Sequence, residues 1–177
     1  MANLFTKASD NFKEALEAPA MGKSVLIAVI ASLFFGVIVN LLTNNLMASV
    51  AIFFLFFAQW FVLTVIYWIF EFMFNPKKRN QVSSNFPGVA TATGNLWLLV
   101  ILFEVFLVVG LVGGIFAIIA GILIIITGLA FVVDLFILMK TILDCSNLRA
   151  FIAWLLAIIL HVLILTITNL ILQVLML

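Results

Sequence analysis

Long apolar runs alternate with short polar interruptions along the chain, and the lengths of the runs set the architecture. Residues 1–23 are polar and mixed. Ser24 to Leu42 is apolar and just long enough to cross a hydrocarbon core of roughly 30 Å, which takes about 20 helical residues. It exceeds the about 7–15 residues of a signal-peptide core, so with Met1 at the start of the chain it is read as an uncleaved span. Thr43, Asn44 and Asn45 form a polar turn. Leu46 to Phe74 follows; as a helix it would run roughly 44 Å and must tilt or project past the hydrocarbon. Asn75 and Pro76 stop it, because a residue before proline disfavours the helical region.

Residues 75–95 are the longest polar stretch, NPKKRNQVSSNFPGVATATGN, and read as a loop that has room for a short re-entrant or interfacial piece around Val89 to Thr93. Leu96 to Thr141 is nearly continuous apolar sequence. As one helix it would reach roughly 69 Å, more than twice the hydrocarbon thickness, so it must fold back. Gly113 and Gly114 are the best turn, dividing it into Leu96–Val112 and Ile115–Lys140, with Gly110 and Gly121 as alternative breaks. Leu143 to Arg149 is a short polar connection, and Ala150 to Leu177 crosses again. The pattern predicts an all-α polytopic membrane protein: a five-span helical bundle over 24–177, with spans at 24–42, 46–74, 96–112, 115–140 and 150–177.

The basic residues orient it. Lys7, Lys13 and Lys23 precede the first span, Lys77, Lys78 and Arg79 lie in the 75–95 loop, and Lys140 and Arg149 flank the last connection. Five spans with the N-terminus inside put all 8 on the cytoplasmic side and leave the C-terminus outside, as the positive-inside rule favours. Before the first span, Leu4, Phe5, Ala8, Phe12, Ala15 and Leu16 recur at helical spacing, with Lys7, Lys13, Glu14 and Glu17 largely on other faces. That predicts an amphipathic helix on the cytoplasmic surface, with a flexible tail as the alternative. Pro19 and Gly22 bend the chain into the first span.

Composition removes most other classes. Apolar residues make up 67% and charged residues 8%, against roughly half and a quarter in soluble domains. The runs do not alternate apolar and polar positions as a barrel's strands do. A net charge of +1 gives no field for nucleic acid. Cys145 is the single cysteine and His161 the single histidine, so neither an internal disulfide nor a Cys-rich or His-pair metal site is expected. No nucleotide-binding glycine motif or nucleophile elbow occurs. No cofactor is expected, and so few chemical groups argue against an enzyme.

Polar residues inside the spans carry what functional signal there is. Glu104 lies about 12 Å into its span and Asp134 about 9 Å from Lys140, both on the cytoplasmic side, and His161 lies near the midplane. Asn40, Gln59, Asn169 and Gln173 add polarity. Ionisable groups in lipid are costly and often functional. A proton- or ion-binding cluster of Glu104, Asp134 and His161 is one reading. Hydrogen bonding between packed helices is the favoured one, and Asp134 also has Lys140 within reach as a partner. Gly110 and Gly114 have GxxxG spacing, and Gly114, Gly121 and Gly128 recur every seventh residue, a stripe expected to serve internal packing, with a dimer contact as the alternative. Cys145 sits at the cytoplasmic membrane edge, where palmitoylation occurs in other proteins.

Three segments resemble the Yip family, the five-span Ypt/Rab-interacting-protein-type membrane domain. Phe12 to Pro19, FKEALEAP, is similar to the segment preceding the first span in prokaryotic members. Phe86, Pro87 and Gly88 lie where the family has its loop before the third span. Ser146 to Ala150, SNLRA, resembles the Ser-x-x-Arg-Ala entry into the last span. The resemblance implies a five-span bundle without known chemistry. Eukaryotic relatives carry a long cytosolic arm and act with Rab GTPases. This chain has only residues 1–23 there, which favours a prokaryotic-type member in a cell membrane and leaves the Rab role aside.

The expected functions are therefore a non-enzymatic membrane organiser or partner-binding subunit, a small proton- or ion-coupled transporter or channel subunit using Glu104, Asp134 and His161, or an accessory subunit of a larger complex. The partners expected are the bilayer itself and another membrane protein or a second copy. Under the first reading, Lys77, Lys78, Arg79, Lys140 and Arg149 form the cytoplasmic surface.

Overall fold

The computed structural model describes residues 2–75 and 85–175, which leaves Lys77, Lys78 and Arg79 outside the described residues. It contains α1 (Ala2–Glu17), α2 (Met21–Thr43), α3 (Leu46–Phe74), α4 (Phe86–Gly110), α5 (Ile115–Leu143) and α6 (Asn147–Leu175), with no strand among the described residues. Helices α2 to α6 supply five segments long and apolar enough to cross a membrane. Only helices satisfy every backbone group within such a run, which is why these sequences fold this way in lipid.

The turns fall where small polar residues and glycine permit a left-handed backbone. Asn44 ends α2 at φ 50°, with its N–H bonded to the Asn40 carbonyl. Asn45 then caps α3, its side chain accepting from the Ala48 N–H at 3.1 Å. Gly113 and Gly114 both take positive φ, 83° and 60°, and reverse the chain between α4 and α5. Asp144, at φ 46°, closes α5.

One boundary departs from the sequence expectation. Phe86 to Asn95 is not loop but the first turns of α4, ten residues ahead of Leu96. Pro87 sits in the first turn, where its missing N–H costs nothing. The Gly, Ala and Thr residues that read as loop are instead a buried packing face: Gly88 to Gly94 are all buried. Thr91 and Thr93 turn their hydroxyls toward the Pro87 and Val89 carbonyls at 2.8 and 2.9 Å, and the same oxygens meet Ala20 and Thr64 across the helix boundary.

Cross-helix bonds give the topology. Ala20, the residue before α2, and Ser24 of α2 pair with Thr91 of α4, and Ser24 also lies against Gly94, so α2 and α4 run parallel. Tyr67 of α3 and Asn75, the residue that caps its end, bond the carbonyls of Leu135 and Ile142 in the same order, so α3 and α5 run parallel. Thr64 meets Thr93 while Asn85 meets Glu71, which makes α3 and α4 antiparallel. The result is an up-and-down bundle. The dense core lies toward the end carrying Asn75, Asn85 and Asp144, where Tyr67, Val89, Leu96, Leu138, Met139 and Ile142 are fully buried. The first half of α5 is its opposite: Ile115, Ile118, Ile122, Ile125 and Leu129 are all exposed.

Helix α1 lies on α4 and α5 at the dense end. Phe12 and Ala15 are buried there, while Lys7, Asp10, Lys13, Glu14 and Glu17 are exposed. The amphipathic helix expected from the sequence thus buries Phe12 and Ala15 on the bundle itself.

Candidate functional site

Glu104, Asp134 and His161 go to different places. Glu104, on α4, is 0% exposed, and both of its carboxyl oxygens lack a hydrogen-bond partner. Asp134, on α5, is half-buried and lines a cavity of about 550 Å³ beneath α1, shared with Asn11, Glu14, Lys23, Thr91 and Asn95. His161, on α6, lines a second cavity of about 400 Å³ among α3, α4, α5 and α6. Glu104 borders neither of these two cavities. Among the described residues no three His, Cys, Asp or Glu side chains group as a metal site.

The first cavity is interfacial. One wall is the amphipathic α1 and the other is the polar edge of α4, and it holds one cation and two carboxylates. Lys140 and Arg149 are exposed elsewhere at this end of the bundle. Arg149 borders a third cavity, of about 630 Å³, with Asp144, Cys145 and Phe74.

The second cavity is apolar and lies near the middle of each helix that lines it. Phe56 and Gln59 come from α3, Trp97 and Phe103 from α4, Thr127, Gly128 and Phe131 from α5, and His161 from α6. Trp97 stacks edge-on to Phe131 with ring centroids 6.1 Å apart. The Trp97 indole N–H and His161 Nδ1 are buried without hydrogen-bond partners. The Thr127 hydroxyl is already committed to the Leu123 carbonyl at 2.8 Å. Its volume falls in the about 300–1,000 Å³ range of small-molecule sites.

The glycine stripe does not pack helices internally. Nothing lies within 4 Å of a Cβ built at Gly114, Gly121 or Gly128, and Gly128 instead gives room to the second cavity. Gly110 makes one ordinary contact, with the Ala120 Cβ at 3.4 Å. Close approach falls on Gly36, Gly88 and Gly94, where a Cβ would meet Ser49, Leu16 and Ser24 atoms at 3.1, 2.9 and 2.3 Å. Their sequence signal was neighbourhood rather than period: each sits among Ala, Ser, Thr or Val. Glu71 is another residue that span counting passes over. It is buried in the last turn of α3 and accepts a hydrogen bond from the Asn85 amide. Comparison of the chain with protein-family models, with curated proteins and with solved structures finds no match.

Proposed function

We propose that this integral membrane protein is a non-enzymatic membrane organiser or partner-binding subunit, Yip-like in layout, with its N-terminus cytoplasmic and its C-terminus outside. The observation that carries the reading is the dispersal of Glu104, Asp134 and His161. Coupled transport needs ionisable groups that share a path or a site, and these three share neither of the two cavities. Several other buried polar groups hold helices together, as in the Thr64–Thr93 and Tyr67–Leu135 bonds. The first half of α5 supports the partner-binding part: its apolar side chains face outward, and Gly121 leaves open space for a neighbouring helix, whether from a second copy or from a larger complex.

Two of the segments that resemble the Yip family also touch each other. Gly88 packs on Leu16, so the FKEALEAP helix sits on the Phe-Pro-Gly start of α4. The decisive experiment is purification in native nanodiscs followed by intact mass spectrometry. A stoichiometric protein partner or a homo-oligomer is expected. A lone monomer whose vesicles show pH-driven flux would overturn the reading.

One observation favours the ion-coupled alternative, the complete burial of Glu104 with both oxygens unpartnered. Under it, Glu104→Gln and Asp134→Asn abolish flux with little loss of folding. Equal flux from wild type and the double variant removes it.

A further inference from the structure

The cavity beneath α1 holds charges of both signs that the bundle leaves unpaired. It encloses about 550 Å³, and Asn11, Glu14, Lys23, Asn95 and Asp134 line it. Among the described residues, the side chains of these five make no hydrogen bond or ion pair. All five are exposed or half-buried, so their polar ends have room to face the space. A carboxylate within a span is costly unless a cation sits beside it. Lys23 shares the cavity with Asp134 and forms no ion pair with it.

The polar groups occupy one layer. Ser24 lies against Gly94, Trp97 meets Phe131 and Gly110 meets Ala120, which brings Lys23, Asn95 and Asp134 to a common depth. That layer lies directly beneath an amphipathic helix, at the level where a leaflet carries its headgroups. The cavity opens sideways to lipid, because Leu98 on its wall is 48% exposed. From Leu98 an exposed apolar track continues along α4 through Leu102, Val105 and Val109. Polar at headgroup level and apolar beyond it, the surface follows the chemistry of a phospholipid.

The charges select the headgroup. One ammonium against two carboxylates disfavours an anionic headgroup and suits one that carries both signs. The groups available to its positive end are carboxylate and amide oxygens, which call for N–H donors. A trimethylammonium has no N–H and is held by cages of aromatic faces. Phe12 is the one aromatic ring on these walls.

We propose that this cavity seats the headgroup of a zwitterionic phospholipid with a primary amine, of the phosphatidylethanolamine class. The ammonium donates to the Asp134 carboxylate and the Asn95 amide oxygen, with Glu14 adding negative charge from α1. Lys23 meets the phosphate. The acyl chains lie along Leu98, Leu102 and Val105. The site is independent of whether the chain also binds a protein partner.

The test is native mass spectrometry of the delipidated full chain, titrated with dioleoyl phosphatidylethanolamine, phosphatidylcholine or phosphatidylglycerol. A one-to-one adduct with phosphatidylethanolamine is expected, and the other two lipids should bind about tenfold more weakly. Asp134→Asn keeps the shape and removes the charge, and is expected to weaken that adduct about tenfold. Lys23→Gln should do the same, and it alters an exposed side chain, so the fold holds. Lys13→Gln, which removes an exposed cation of α1 outside the cavity, should leave the adduct unchanged. Equal retention of the three lipids overturns the proposal, as does tighter binding of phosphatidylglycerol. Undiminished phosphatidylethanolamine binding by both Asp134→Asn and Lys23→Gln overturns it too. Displacement of the lipid by an equal concentration of soluble glycerophosphoethanolamine would make the cavity a site for a soluble ligand and would also overturn it.

Discussion

Gly94 lies so close to Ser24 that a Cβ on it would come within 2.3 Å of the Ser24 Cβ and 2.8 Å of the Ser24 Cα. Backbone, not a flexible tip, is in the way, so α2 and α4 must separate to admit any side chain. Gly94→Ala is expected to lower stability by about 1–3 kcal/mol. Gly121→Ala, with nothing within 4 Å, should stay within about 0.5 kcal/mol of wild type. Steric-trap or denaturant unfolding of both variants in the same bilayer mimetic measures the contrast; equal losses would contradict the packing described.

The Thr64 and Thr93 hydroxyls share a hydrogen bond of 2.7 Å between α3 and α4. Each also has a carbonyl four residues back in its own helix at 2.9 Å, and since each hydroxyl carries one proton, only one of the two donates to its carbonyl while the other donates across. Replacing either with Val keeps the shape and removes the bond. A double-mutant cycle is expected to give a coupling of about 0.6 kcal/mol, and not above about 1.7 kcal/mol. Zero coupling would mean the two hydroxyls answer only to their own helices.

Docking of α1 rests on Phe12 and Ala15, both 5% exposed, and on the contact of Gly88 with Leu16. A side chain at Gly88 would meet the Leu16 carbonyl at 2.9 Å. Phe12→Ala or Gly88→Val should therefore release α1 while the spans stay folded. Trypsin cleavage after Lys13 is the readout, and its rate is expected to rise by about tenfold or more. Unchanged cleavage would show that α1 is held by something else.

Spacing and run length made the spans legible. The reversals at Asn44–Asn45 and Gly113–Gly114 could be read because asparagine and glycine tolerate the left-handed backbone seen at Asn44, Gly113 and Gly114. Neighbours in space were hidden. A helix apolar on every side carries no signal for which face meets protein and which meets lipid. Hence the regular Gly114, Gly121 and Gly128 stripe looked like a packing seam and is open, while Gly88 and Gly94 looked like loop and form the closest contacts. For the same reason Glu104, Asp134 and His161 could be given depths but not partners. Nothing in the sequence singled out Trp97, which is buried and lines a cavity.

Cys145 sits partly buried in the turn between α5 and α6. Burial is the largest influence on its thiol and pushes the pKa up; Arg149 and Lys140 pull it down, and Asp144 adds to the rise. The thiolate is the reactive form, so a raised pKa means little of it at pH 7. Maleimide labelling should be slow there and climb as pH passes through and above the ordinary thiol range. Arg149→Gln should slow it further, since a stabilising cation is lost. Labelling of sealed vesicles from each side in turn reads the orientation directly: with the N-terminus inside, only the cytoplasmic face reaches Cys145.

The stitched contacts of the bundle are unevenly placed. Tyr67, Asn75, Thr91 and Thr93 tie α2, α3, α4 and α5 together at the end where α1 rests. The first half of α5 runs past the 400 Å³ cavity with most of its large side chains facing outward. The protein is therefore stiff at one membrane face and compliant at mid-depth. Amide exchange is accordingly expected to be slowest around Tyr67, Thr93 and Ile142 and fastest along the first half of α5.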